Sequence, residues 1–154
     1  MNILGLPEKE TRENIELLNV LLANFQVYYQ NLRGLHWNIR GKRFFELHVK
    51  FEELYNQSQL RIDEIAERVL TLGGTPLHTF EDYIGKNKLQ IGKNITQDDS
   101  AVELIIKSLT ALLTIEREIL EKSSEINDEG TNSMMSDLIT EQEKDIWMMR
   151  AFLG

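Results

Sequence analysis

The sequence predicts an all-α fold, a four-helix bundle with one long crossover. Three observations carry this reading. Only two prolines, Pro7 and Pro76, interrupt 154 residues. Helix formers (Leu, Glu, Ile, Lys, Gln) dominate the composition. Apolar residues recur every three or four positions through four long stretches, the period of an amphipathic helix. A chain of this length can bury a substantial core as a single domain, residues 1–154.

The first helix carries Ile15, Leu18, Leu22, Phe25, Tyr29, Leu32 and His36 in strict 3-4-3-4 spacing. Pro7 and the acidic residues after it suit a helix start, and Asn38-Ile39-Arg40-Gly41 suits a stop. Gly34 is an internal cost. The second helix carries Phe44, Leu47, Phe51, Leu54, Ser58, Ile62, Ile65, Val69 and Leu72, and Gly73-Gly74-Thr75-Pro76 breaks it. A short helix over His78–Ile84 is expected in the next segment, with Gly85 and Gly92 in the loops around it. Thr96, followed by Asp98 and Asp99, reads as the cap of a third long helix burying Val102, Ile105, Leu109, Leu112, Leu113, Ile119 and Leu120. Asn127-Asp128-Glu129-Gly130 is a turn, and Thr131–Phe152 is the last helix, with Met134, Leu138, Ile146, Met149 and Phe152 inward. The long link between the second and third long helices lets one finish at one end of the bundle and the next begin at the other, a ferritin-like topology.

Composition removes several function classes. There is no cysteine, which excludes disulfides, zinc–thiolate sites and iron–sulfur clusters and fits a reducing cytoplasm, the expected location. No apolar run approaches the roughly 20 residues of a membrane span, and MNILGLPEKE lacks the pattern of a secretory signal. A formal charge of −8 opposes binding to nucleic acid or anionic lipid.

The residues that carry chemistry are His36, His48, Glu52, Asp63 and Glu67. Spacings of 4, 11 and 4 put His48, Glu52, Asp63 and Glu67 on one helical stripe. Imidazoles with several carboxylates suit iron, manganese or zinc. Each alone has a plainer explanation: His36 continues an apolar seam, His48 would be a groove histidine, and Arg61 and Arg68 offer partners to the carboxylates. Geometry adds a constraint. His48/Glu52 and Asp63/Glu67 are centred roughly 22 Å apart along a helix at 1.5 Å per residue. One helix cannot bring both patches to one ion, whereas two antiparallel copies crossing near Gln57 and Ser58 can, producing two equivalent sites shared between chains. No histidine has a glutamate three residues before it, so the usual di-iron site inside a bundle is not expected.

Leu35-His36-Trp37-Asn38-Ile39-Arg40-Gly41, Phe44-Phe45-Glu46-Leu47-His48, Ile62-Asp63-Glu64-Ile65-Ala66-Glu67-Arg68, Gly73-Gly74 and Trp147–Leu153 together resemble the Dps mini-ferritins, the DNA-binding proteins from starved cells. The resemblance covers nearly the whole chain. It implies a hollow dodecamer that oxidises Fe(II), preferentially with hydrogen peroxide, and stores ferric mineral. Its iron centre, with one or two metals, would take His36, His48 and Glu52 from one chain and Asp63 and Glu67 from its neighbour. Trp37 would then lie beside the centre, either as an electron donor or as a packing residue. Glu125, Asp128, Glu129 and Asp137 would line an acidic iron-entry pore or cap a solvated helix end. Glu46, Glu53 and Glu64 would nucleate mineral or face solvent. The alternative is a nucleoid-associated protein that condenses DNA. It is disfavoured because the residues before the first helix offer only Lys9 and Arg12 as bases, and −8 per chain becomes −96 over twelve.

Overall fold

The computed structural model describes residues 1–154. Its elements are five helices: α1 (Glu8–Asn38), α2 (Phe44–Thr71), α3 (Phe80–Lys86), α4 (Asp98–Glu125) and α5 (Glu129–Leu153). The short α3 lies in the crossover, as the sequence suggests, but occupies 80–86 and takes in Gly85. Thr79 fixes its start by accepting a hydrogen bond from the Asp82 amide at 3.1 Å.

Four contacts give the helix directions. His36, near the end of α1, meets His48, near the start of α2. The Arg40 amide, just after α1, donates to the Thr96 carbonyl just before α4 at 3.0 Å. Thus α2 and α4 begin at the same end of the bundle and run parallel. Arg68, late in α2, pairs with Asp128 at the head of α5, and Phe152, at the tail of α5, lies under Arg43 at the head of α2. α5 is therefore antiparallel to α2. The crossover topology is the observed one.

A crossover must travel the bundle length, and its backbone needs partners along the way. Three buried asparagines of α1 supply them, each using both ends of its amide. Asn19 donates to Thr75 O and accepts from Leu77 N. Asn24 donates to Lys86 O and accepts from Lys88 N at 2.7 Å. Asn31 donates to Gln90 O and accepts from Gly92 N, both at 2.9 Å. Gly92 permits this approach, since a Cβ there would stand 2.7 Å from Leu104 and 3.3 Å from Asn31.

Helix ends follow side-chain chemistry. Gly73, at φ +90°, takes the left-handed turn that ends α2. α4 begins at Asp98 without the expected Thr96 cap, because Gln97 stands at the cap position and makes no side-chain bond. α5 begins at Glu129 rather than Thr131, because Asp128 is its cap and accepts from the Thr131 amide at 3.1 Å.

One core of 28 buried residues joins the four long helices and the crossover's Leu89. A carboxyl group is buried beside this core. Glu116 of α4 is fully buried and receives a 2.6 Å hydrogen bond from Gln142 of α5. Burial pushes its carboxyl up to about 8, against the opposing pull of Gln142. The folded state therefore holds a proton that the unfolded chain releases near 4.5.

Two outcomes are expected. Asn31→Ala leaves two crossover backbone groups unpaired and lowers stability by about 2 kcal/mol in urea titration. For Glu116, the raised folded value makes its contribution to stability full below about 4.5, declining as pH rises, and lost above about 8. Glu116→Gln removes that slope, so its melting temperature gains on wild type from pH 5 to pH 8, read by scanning calorimetry.

Candidate metal centre

The candidate residues sit where α1 ends and α2 begins, on a hairpin closed by two hydrogen bonds. His36 Nδ1 lies 2.6 Å from the His48 carbonyl, and His48 Nδ1 lies 2.8 Å from the His36 carbonyl. A carbonyl oxygen only accepts, so each Nδ1 carries the proton. In the neutral ring Nε2 then keeps its lone pair, the tautomer a metal requires. The second bond also satisfies a carbonyl in the last turn of α1.

Packing holds both rings. They stack at 3.7 Å with an interplanar angle of 11°. Phe44 stacks on His48 at 4.9 Å, and Tyr55 meets His36 edge-on at 5.3 Å. His36 is 8 % exposed and His48 partly so. Glu52, one turn beyond His48, is exposed and accepts a 3.2 Å hydrogen bond from the Tyr55 hydroxyl through Oε1. Desolvation first, and the nearby Glu52 charge second, raise the Tyr55 phenol above its ordinary value.

Asp63 and Glu67 lie further along α2, also exposed. Within one chain no three His, Asp or Glu side chains come close enough to hold an ion. The structure thus pairs His36 with His48 at the start of α2, sets Glu52 one helical turn beyond them, and leaves Asp63 and Glu67 further along the helix. The arginines suspected of pairing with this stripe are committed elsewhere. Arg61 grips Glu141 of α5 through two hydrogen bonds at 2.7 and 3.0 Å and also bonds Glu64. Arg68 bonds Asp128 at 2.6 Å and Thr131 at 2.9 Å. No Lys or Arg nitrogen lies within 4.0 Å of Glu52, Asp63 or Glu67.

Two expectations change. Asp128 is not a pore-lining carboxylate: it is 2 % exposed and consumed by Arg68 and by capping α5. Glu125, Glu129 and Asp137 are exposed. Ser58, near which two copies of the helix were expected to cross, cannot touch a second chain, because it is 4 % exposed and bonds Leu54 O inside the bundle. Among the second acidic stripe, Glu64 pairs with Arg61 at 3.0 Å and Glu53 with Lys50 at 3.4 Å, while Glu46 lines a groove beside Lys50, Met148 and Met149. Trp37 is 58 % exposed and lies beneath the Arg33 guanidinium at 5.0 Å. Spacing arguments passed over Tyr55. Its position three residues after Glu52, within one helical turn, was the available signal.

The outward side of α2 is unusually apolar for a surface. Phe45 (81 % exposed), Val49, Leu60 and Leu70 lie on the face that carries His48, Glu52, Asp63 and Glu67. No helix is long and apolar enough to cross a membrane.

Four long helices joined by a crossover, with four of the five candidate ligands on the outer side of α2 and His36 at the end of α1, define a ferritin-like protein. The family profile for the ferritin-like domain matches residues 15–154. A Dps protein from Vibrio cholerae O1, described as a member of a broad superfamily of ferritin-like diiron-carboxylate proteins, superposes with a TM-score of 0.98. The match has 45 % identity and spans 100 % of this chain and 97 % of that one. The DNA protection during starvation protein 2 of Bacillus anthracis is 38 % identical over 93 % of this chain and 98 % of its own length. Its counterpart in Porphyromonas gingivalis is 38 % identical over 99 % and 96 %. The chain belongs to the Dps family of mini-ferritins.

The hairpin geometry makes its own expectation. In metal-free protein at pH 8, long-range proton–nitrogen correlation should place both His36 and His48 in the Nδ1–H tautomer. Zn(II) should then perturb Nε2 of each ring and leave Nδ1 protonated.

Proposed function

We propose that this protein oxidises Fe(II) with hydrogen peroxide and stores the ferric product inside a shell of twelve chains. Iron is the substrate and cargo. Each centre is shared: His36, His48 and Glu52 come from one chain, with Asp63 and Glu67 from its neighbour. The observation that carries this reading is the pair of mutually locked histidines, each with Nε2 uncommitted, on a helix face whose carboxylates no cation neutralises. The exposed Phe45, Val49, Leu60 and Leu70 on that face supply an apolar surface for a second α2 to cover. The family's iron chemistry, seen in the name of the Vibrio cholerae relative, supports the choice of metal.

The residues divide the chemistry among them. Imidazole nitrogens bind Fe(II) and still permit oxidation, whereas carboxylates favour Fe(III) and so draw the reaction forward. Peroxide takes two electrons to become water, and two Fe(II) supply them without releasing a hydroxyl radical. The exposed Glu125, Glu129 and Asp137 at the α4–α5 end would draw cations toward the shell. Glu46, Glu53 and Glu64 would offer oxygens to the growing mineral, Glu46 most readily because Glu53 and Glu64 already pair with cations. At −8 per chain, DNA would be protected by removing iron and peroxide rather than by being coated.

Sharing gives a direct test. His48→Ala and Asp63→Ala shells should each lose at least ten-fold in peroxide-driven Fe(II) oxidation. Shells assembled from equal amounts of both chains should regain about a quarter of wild-type centres, because each centre draws its halves from two chains at random. No recovery in mixed shells would refute sharing, and full activity in both parents would refute the site.

A further inference from the structure

The aromatic side chains around the hairpin are not equivalent as electron sources. Tyr55 donates its hydroxyl to Glu52 Oε1 at 3.2 Å and sets its ring edge against His36 at 5.3 Å. It is half-buried, and no Lys or Arg lies over its face. Trp37, next to His36 in sequence, is placed differently. Its indole is 58 % exposed, with the Arg33 guanidinium 5.0 Å above the ring. The same guanidinium lies 5.3 Å from the Tyr29 ring.

Charge separates these candidates. Taking one electron from tryptophan first leaves a cationic ring, and a fixed guanidinium over that ring opposes it. Tyrosine loses its electron and its phenolic proton together and ends neutral, provided that a base accepts the proton. Tyr55 has such a base within hydrogen-bond reach. Tyr29 bonds to no carboxylate and meets Tyr55 edge-on at 6.0 Å. Glu52 can hold Tyr55 through Oε1 and keep Oε2 for iron.

The geometry points to Tyr55, and not Trp37, as the residue that supplies an electron at the centre when peroxide meets a single Fe(II). This rests on the function proposed above. One Fe(II) gives one electron to peroxide, cleaving the O–O bond to hydroxide and an oxidant at the hydroxyl-radical level. The O–H bond of Tyr55 then breaks. Its electron reduces that oxidant to a second hydroxide, and its proton passes to Glu52. Peroxide has then received two electrons, one from Fe(II) and one from Tyr55, and a neutral tyrosyl radical remains in the protein. The diffusible oxidant is consumed where it forms.

The test uses the assembled shell, loaded anaerobically with no more than one Fe(II) per centre, then mixed with peroxide and freeze-quenched for electron paramagnetic resonance. Wild type should give a tyrosyl signal that narrows when the protein carries ring-deuterated tyrosine. Tyr55→Phe should lower that signal at least five-fold and raise hydroxyl-radical adducts of a spin trap. Trp37→Phe and Tyr29→Phe should retain it. Tyr55→Phe keeps the ring against His36, and a Co(II) titration of the variant checks that its centre still binds a divalent metal. A signal that survives Tyr55→Phe, or disappears in Trp37→Phe, would overturn the assignment. So would wild-type shells that oxidise Fe(II) with no tyrosyl radical. Wild-type shells that fail to oxidise Fe(II) with peroxide would instead refute the function on which it rests.

Discussion

The fold depends on how the crossover is held to α1. Parallel α2 and α4 can share a bundle only if the chain between them runs its whole length. Such a segment cannot satisfy its own backbone as a helix does. Asn19, Asn24 and Asn31 resolve this by acting as donor and acceptor at three successive levels. Each is on the helix that also carries His36. The contacts that fix the topology therefore also brace the helix carrying one of the candidate ligands.

The second organising effect is the allocation of charge. α2 is rich in carboxylates, and its arginines could have neutralised any of them. Arg61 instead reaches to Glu141 and Glu64, and Arg68 to Asp128. Both arginines thus tie α2 to α5 or its capping turn. At the other end of the bundle, Arg43 binds Asp98 and Asp99 at the head of α4 and covers the Phe152 ring at 4.2 Å. The cations hold the helices together, and the outer stripe keeps its negative charge. A face holding that charge beside exposed apolar side chains is poorly satisfied in an isolated chain. This is the physical basis for assigning it a second chain and a metal.

Around the histidines, rigidity comes from covalently near neighbours. His36 and His48 are only 12 residues apart, and each fixes the other's tautomer through its backbone carbonyl. Phe44 and Tyr55, both on α2, close the stack from either side. Preorganisation of this kind lowers the conformational cost of binding an ion.

By itself the sequence determined the helices, their inward faces, the crossover and the candidate ligand stripe. These are readable because helical period and rise per residue convert spacing into geometry. The same rise separates the stripe into two half-sites. Tertiary structure decided the questions of partnership. Asp128 and Glu129 are adjacent acidic residues, yet Arg68 arriving from α2 buries one and leaves the other exposed. Ser58 follows the inward period of Leu54 and Ile65, and its burial at 4 % exposure closes it to a second chain. The three asparagines carry no periodic signal, because a polar residue's role depends on which distant group meets it. Spacing along one helix is a local property, whereas pairing across helices is settled only when they pack.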